Sequence, residues 1–194
     1  MKLADLDINK VYSYADYFKW KFEERVELIR GYIFKMSPAP NVRHQQLSAE
    51  IGGQLWSFLR GKKCQVFTAP FDVRLPRKSN DDKEIITVVQ PDICVICDPT
   101  KLDKRGCLGA PDIVVEILSP GNNTKELKNK YEVYEEAGIK EYWVVSPQDN
   151  TFFAYTLING RYQPSRIMVA GDVVTSTVLE GFSLDLTELF GEME

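Results

Sequence analysis

What this sequence has little of narrows it first. Its 194 residues hold one histidine and four cysteines. A structural zinc site takes four ligands, usually from two close pairs. Here only Cys94 and Cys97 form such a pair, while Cys64, Cys107 and His44 stand apart in sequence. Cys94 and Cys97 also sit in an apolar, strand-like run whose alternation sends them to opposite faces, so four free buried thiols are expected. No stretch approaches the roughly eighteen continuous apolar residues of a membrane helix, so no membrane partner is expected. Residues 1–10 carry acidic side chains and no apolar segment, so no secretory signal is read there and a cytoplasmic location is the expectation. There is no basic excess either: 24 Lys and Arg against 28 Asp and Glu give a formal charge of −4 and a pI of about 5.2. That disfavours broad, sequence-independent wrapping of nucleic acid, which needs many phosphate contacts, but leaves room for a local basic cleft. Repeats and low-complexity linkers are missing too, and one domain over residues 1–194 is expected.

What is present reads as a mixture of strands and helices. Residues 13–22 open as a helix capped by Ser13. Residues 25–36 read as two short strands joined near Arg30 and Gly31, and Ser37-Pro38-Ala39-Pro40 breaks the pattern. A helix is predicted from Val42 to Leu59, with Leu47, Ile51, Leu55 and Phe58 inward and Gly61 as its stop. Strands are expected at 64–69 and 71–75, a polar hairpin tip or mobile loop at 76–84, an apolar run at 85–96 interrupted by Gln90-Pro91-Asp92, and a polar connection at 98–109. The segment 110–120, APDIVVEILSP, is apolar on both faces, like a central buried strand. A helix from Asn123 to Ala137, capped by Asn122 or Asn123 and ended by Gly138, leads to a strand at 141–147. That order predicts a parallel crossover. Hairpins follow, then a strand near 173–179 and a short helix or turn over Leu186 to Phe190.

Three acidic residues interrupt apolar strands: Asp92, Asp112 and Glu116. A buried charge is costly unless it is paired, hydrogen-bonded or metal-bound. Glu116 falls in the middle of IVVEIL, on the face shared by Asp112, Val114 and Leu118; Ile113, Val115 and Ile117 take the other face. Asp112 follows a proline near the strand start, where it can cap a turn. Asp92 follows Pro91, which bends or ends a strand and turns the next side chain toward a cleft. Carboxylates from two adjacent strand ends can hold Mg²⁺ or Mn²⁺ through oxygen. Buried ion pairs are the structural alternative.

The blocks VELIRG, SPAP with His44, QPDICVI, APDIVVEILSP and K-x-x-x-Y-x-x-x-G-I-K-EYWVVSP together resemble a bacterial family of restriction-type endonucleases. This Uma2-like family, formerly a domain of unknown function, is placed in the PD-(D/E)XK nuclease superfamily. The resemblance spans roughly residues 10–185. It implies an α/β (α+β) restriction-endonuclease-like fold, with a mixed central sheet flanked by helices and additional antiparallel hairpins. It also implies a metal-dependent endonuclease that hydrolyses DNA, with Asp92 and Glu116 as metal ligands for Mg²⁺ or Mn²⁺. The superfamily pattern expects a lysine at position 118, where this chain has Leu118. In such relatives the following helix can supply it. Lys130 is favoured, with Lys125 and Lys128 as alternatives, because such a lysine usually has an acidic residue four positions before it. Here that residue is Glu126, where Asp is more usual. The resemblance further suggests Glu27 as a third acidic group, the alternative being a cross-strand partner of Arg25 or another base, and His44 as a contact to metal, water or phosphate. Gln45, Gln46 and Ser119 are weaker candidates. By analogy, a homodimer would place two sites on two strands. The rival to hydrolysis is a nuclease-fold protein, catalytically weak or inactive, serving as a nucleic-acid-binding, regulatory or interaction module. Leu118 and the acidic pI favour it.

Overall fold

The computed structural model describes residues 2–36, 41–119 and 124–191, with backbone alone for 124–126. The Ser37–Pro40 break, Asn122 and Asn123 lie outside the described residues. In chain order the elements are α1 (Tyr14–Tyr17), β1 (Val26–Ile29), β2 (Tyr32–Lys35), α2 (Val42–Leu59), β3 (Gln65–Thr68), β4 (Val73–Arg74), β5 (Val88–Val89), β6 (Ile93–Ile96), β7 (Leu102–Asp103), β8 (Gly106–Leu108), β9 (Ile113–Ile117), α3 (Thr124–Ala137), β10 (Glu141–Ser146), β11 (Thr151–Ile158), β12 (Arg161–Pro164), β13 (Val173–Thr175), β14 (Ser183–Asp185) and α4 (Leu186–Phe190).

Two six-stranded sheets carry the architecture. One runs β12-β11-β10-β9-β6-β3 and the other β2-β1-β5-β4-β8-β7, while β13 and β14 form a separate pair. β9 pairs parallel with β10, the two being joined through α3 as the sequence order predicts. β6 pairs antiparallel on the other side of β9. β9 is buried along its whole length. Ile113, Val115 and Ile117 pack against α2 and α4 through Leu47, Ile51, Leu55, Leu186 and Leu189. Val114, on the opposite face, joins Ile29, Val73 and Val89 of the second sheet with Val133 and Tyr134 of α3. Each such side chain stabilises the fold by about 1.5–3 kcal/mol relative to exposure. A charge set into this strand therefore has to be solved by the fold.

Local chemistry accounts for the boundaries. Asn41 caps α2 by accepting the His44 N–H at 2.9 Å, and the helix runs over the predicted residues, with Phe58 partly buried against the core and Leu59 buried as well. The β1–β2 hairpin turns on Arg30 and Gly31, both at positive φ (52° and 82°). The positive φ is what favours glycine at position 31, and a Cβ there would also crowd Val11 and the Tyr12 carbonyl.

Three expectations are corrected. The first helix is a single turn, because Tyr17, Trp20 and Phe22 pack ring against ring instead of lying along one stripe. The 98–109 connection holds a 3-10 turn capped by Asp98 and the β7–β8 hairpin, whose second strand pairs parallel with β4. Of the cysteines, Cys94 and Cys107 are free and buried, whereas Cys64 and Cys97 form a disulfide. The antiparallel register that sets Gln65 opposite Ile96 brings Cys64 and Cys97 together one position further out.

Candidate functional site

The β6–β9 register sets Ile93 opposite Val115 and Cys94 opposite Val114. Continued by one residue, it places Asp92 opposite Glu116. Pro91 ends the regular ladder, and the Asp92 side chain takes over: its Oδ2 accepts the Ile117 N–H at 2.7 Å. His44, in the first turn of α2, brings Nε2 to 3.4 Å from the same oxygen. The other ring nitrogen, Nδ1, is buried with no partner among the described residues.

Glu116 is met from the other side by α3. Lys130 Nζ lies 3.0 Å from its Oε1, and the Tyr134 hydroxyl donates to that oxygen at 2.6 Å. Lys130 and Tyr134 are four residues apart, so one helix face presents both. The same ammonium lies 3.1 Å from Glu27 Oε1, and the Gln90 N–H donates to that oxygen at 2.7 Å. Glu27, Glu116 and Lys130 are buried, whereas the Asp92 side chain remains 21% exposed. Two buried carboxylates thus share one ammonium.

That arrangement governs proton affinity. Burial pushes Glu116 up to about 7; the Asp92 and Glu27 charges add to this, and Lys130 and the Tyr134 hydrogen bond oppose it. Lys130 is raised above the ordinary lysine range: burial alone would lower it, but Glu116 and Glu27 outweigh burial. His44 is raised because Asp92 outweighs its desolvation.

The structure thus brings Asp92, Glu116, Lys130, Glu27 and His44 to one end of β6 and β9. Glu27 is paired with Lys130, while Arg25 bonds Gln90 Oε1 at 2.7 and 3.1 Å. Lys128 points away, with its side chain 74% exposed. The side chains of Lys125 and Glu126 lie outside the described residues. Gln45 is exposed on a groove of about 340 Å³ beside Asp92, and Ser119 lines a smaller hollow of about 180 Å³ near Leu118. Asp112 proves structural, accepting from the Cys97 N–H and from Lys140, each at 2.7 Å. Two contributors stand inside the blocks K-x-x-x-Y and QPDICVI without being marked as site residues by the sequence: Tyr134, on the apolar stripe of α3, and Gln90, whose N–H donates to Glu27.

Among the described residues, no group of three His, Cys, Asp or Glu is set to hold a metal ion. Asp92 and Glu116 do supply the hard oxygen donors that Mg²⁺ and Mn²⁺ prefer, and such ions are commonly held by one or two carboxylates plus water and phosphate. The pair therefore fits a divalent ion in donor chemistry.

Residues 14–187 match the family model described as "Uma2: Putative restriction endonuclease". The chain belongs to the Uma2 family. An uncharacterized protein of Synechocystis is 23% identical over 137 residues, covering 69% of this chain and 68% of that protein. A crystal structure from Anabaena variabilis, described as a putative nuclease belonging to DUF820, superposes with a TM-score of 0.74 at 20% identity. It covers 92% of this chain and 97% of its own. The Uma2 assignment and this shared architecture show a restriction-endonuclease-like mixed α/β fold, consistent with the PD-(D/E)XK type.

Proposed function

We propose that this Uma2-family chain is a DNA-binding module built on a nuclease fold, with a carboxylate–lysine centre of weak hydrolytic power. The observation that carries this is the state of Glu116. Its Oε1 is held by Lys130, shared with Glu27, and by Tyr134. Any divalent ion there competes with an ammonium already satisfying a buried carboxylate, and breaking a buried pair is costly. Leu118, where the superfamily pattern has lysine, points the same way. DNA is the ligand suggested by the family description, and Arg25 and His44 give the groove beside Asp92 a basic side.

Metal-dependent hydrolysis of a DNA phosphodiester is the second reading, favoured by the convergence of Asp92, Glu116 and Lys130. In it Asp92 and Glu116 hold Mg²⁺ or Mn²⁺. Such an ion, when bound, supplies Lewis acidity toward a phosphate oxygen and an attacking water. Asp92 is already oriented by the Ile117 N–H and His44, and Tyr134 fixes the rotamer of Glu116. The Lys130 ammonium stays protonated at neutral pH and offsets negative charge developing on the phosphate. Glu27 holds that ammonium in place.

The test joins DNA binding in EDTA to a cleavage assay on single-stranded, duplex and branched DNA with Mg²⁺ or Mn²⁺. The expected result is binding in EDTA, little cleavage, and DNA binding by Glu116→Ala equal to that of the parent. Strong cation-dependent cleavage that disappears in Glu116→Ala selects the second reading. No binding to any DNA, with or without cation, overturns both.

A further inference from the structure

The outward face of α2 differs from its flanks. Gln45, Ala49, Gly53, Trp56 and Arg60 recur at intervals of three and four, so they form one row along about 22 Å of helix. All five are exposed, and a Cβ on Gly53, mid-row, would meet nothing within 4 Å. Trp56 is 55% exposed, and the Arg60 guanidinium stands 4.4 Å from its ring centroid. The neighbouring Phe58, by contrast, packs on Phe182 at 5.3 Å. The one acid of α2, Glu50, lies about 120° around the helix from Trp56. It accepts from Gln54 at 2.8 Å, and Gln54 belongs to the flank of Phe58 and Phe182.

The same row runs into the groove of about 340 Å³ beside Asp92, which Gln45, Ala49 and Gly53 line together with Arg25 and His44. Arg25 is held by the neutral amide oxygen of Gln90, and Arg60 by the Trp56 ring; neither is in an ion pair among the described residues. His44, buried in the groove wall, leaves Nδ1 without a partner among the described residues. The row thus has cations toward both ends, an exposed ring beside one of them, and a residue without a side chain between. A duplex hides the flat faces of its bases in its own stack. A single strand offers those faces to protein rings and its phosphates to neighbouring cations. Glycine lets such a backbone come close.

We propose that this face of α2 seats an unpaired DNA strand: a base stacks on the Trp56–Arg60 pair, the backbone passes over Gly53, and Arg25 takes a phosphate at the groove beside Asp92. This rests on the DNA-binding reading above and deepens it, giving it a surface and a strand state. The seat is specific for strand form, because stacking accepts any base.

The experiment is fluorescence anisotropy in EDTA with a labelled oligothymidylate of roughly a dozen nucleotides, within the range of site sizes such surfaces cover. A duplex of the same length is run beside it. The single strand is expected to bind about ten-fold tighter than the duplex, and Trp56→Leu, which removes an exposed ring, to weaken it by about ten-fold. Gly53 tests the place, because a side chain there enters open space and leaves the fold intact. Gly53→Arg should steepen the slope of log affinity against log salt by about 0.7, the value for one added phosphate contact on a single strand, and Gly53→Glu should weaken binding. Trp56→Leu binding as well as the parent, or Gly53 variants that leave affinity and slope unchanged, overturns the seat while the DNA-binding reading stands. A duplex bound as tightly as the single strand overturns it in the same way. No binding of either DNA by the parent removes the seat and the DNA-binding reading together.

Discussion

At the scale of single residues, the informative group is Lys130, one cation between two buried carboxylates. Lys130→Met leaves Glu27 and Glu116 buried and unpaired. It is expected to cost about 3–5 kcal/mol at pH 8 by urea unfolding, and less at pH 5, where protonation relieves the repulsion. The parent carries a milder form of the same tension. Glu116 is raised from 4.5 to about 7 by burial. The folded chain therefore binds this proton more tightly than the unfolded chain does. The resulting stabilisation is complete below pH 4.5 and is lost as pH climbs through about 7. Lys130 remains charged over that window, since its own affinity is raised. In EDTA the parent should lose stability between these two pH values relative to Glu116→Gln, whose amide oxygen still accepts from Lys130 and Tyr134. Parallel urea midpoints for the two proteins across the window would remove Glu116 as the source.

At the scale of elements, α2 offers a paired comparison. Gly52 and Gly53 are adjacent in the helix, yet a Cβ on Gly53 meets nothing within 4 Å, whereas one on Gly52 meets Thr68 Cγ2 at 3.3 Å. Gly53→Ala is expected to stabilise by about 0.5–1 kcal/mol from helix propensity. Gly52→Ala should gain less or destabilise, because β3 sits against it; thermal unfolding of the two variants reads the difference. Here α2 also shows what the sequence exposed and what it hid. Eighteen residues of 3.6-fold periodicity behind Asn41 suffice to place its ends, and a glutamate inside IVVEIL stands out against five apolar neighbours, four of them buried. The two-residue strand β7, within the segment read as a polar connection, is shorter than any recognisable alternation. Tyr134 shares a stripe with Leu127 and Tyr131, so only its 2.6 Å bond to Glu116 distinguishes it from a core residue. The Glu27–Lys130 pairing joins β1 of one sheet to the crossover helix of the other, which no local pattern encodes.

At the scale of the whole molecule, one covalent link ties the sheets' shared path together. The chain leaves the first sheet at β3, contributes β4 and β5 to the second, and returns at β6 carrying Asp92 at its entrance. The Cys64–Cys97 disulfide closes that excursion, a sequence separation of 33. Loop-closure entropy for such a length corresponds to about 3–4 kcal/mol of stabilisation, mainly by restricting the unfolded chain. Unfolded without reductant, the parent should show two reactive thiols, Cys94 and Cys107, and all four after reduction. Reductant should then lower the thermal midpoint of the parent and leave Cys64→Ser with Cys97→Ser unchanged, with the reduced parent and the variant meeting at one midpoint. Four reactive thiols without reductant would mean that this loop stays open in solution, and that packing of β3 on β6 and α2 alone returns the Asp92 strand to its place beside Glu116.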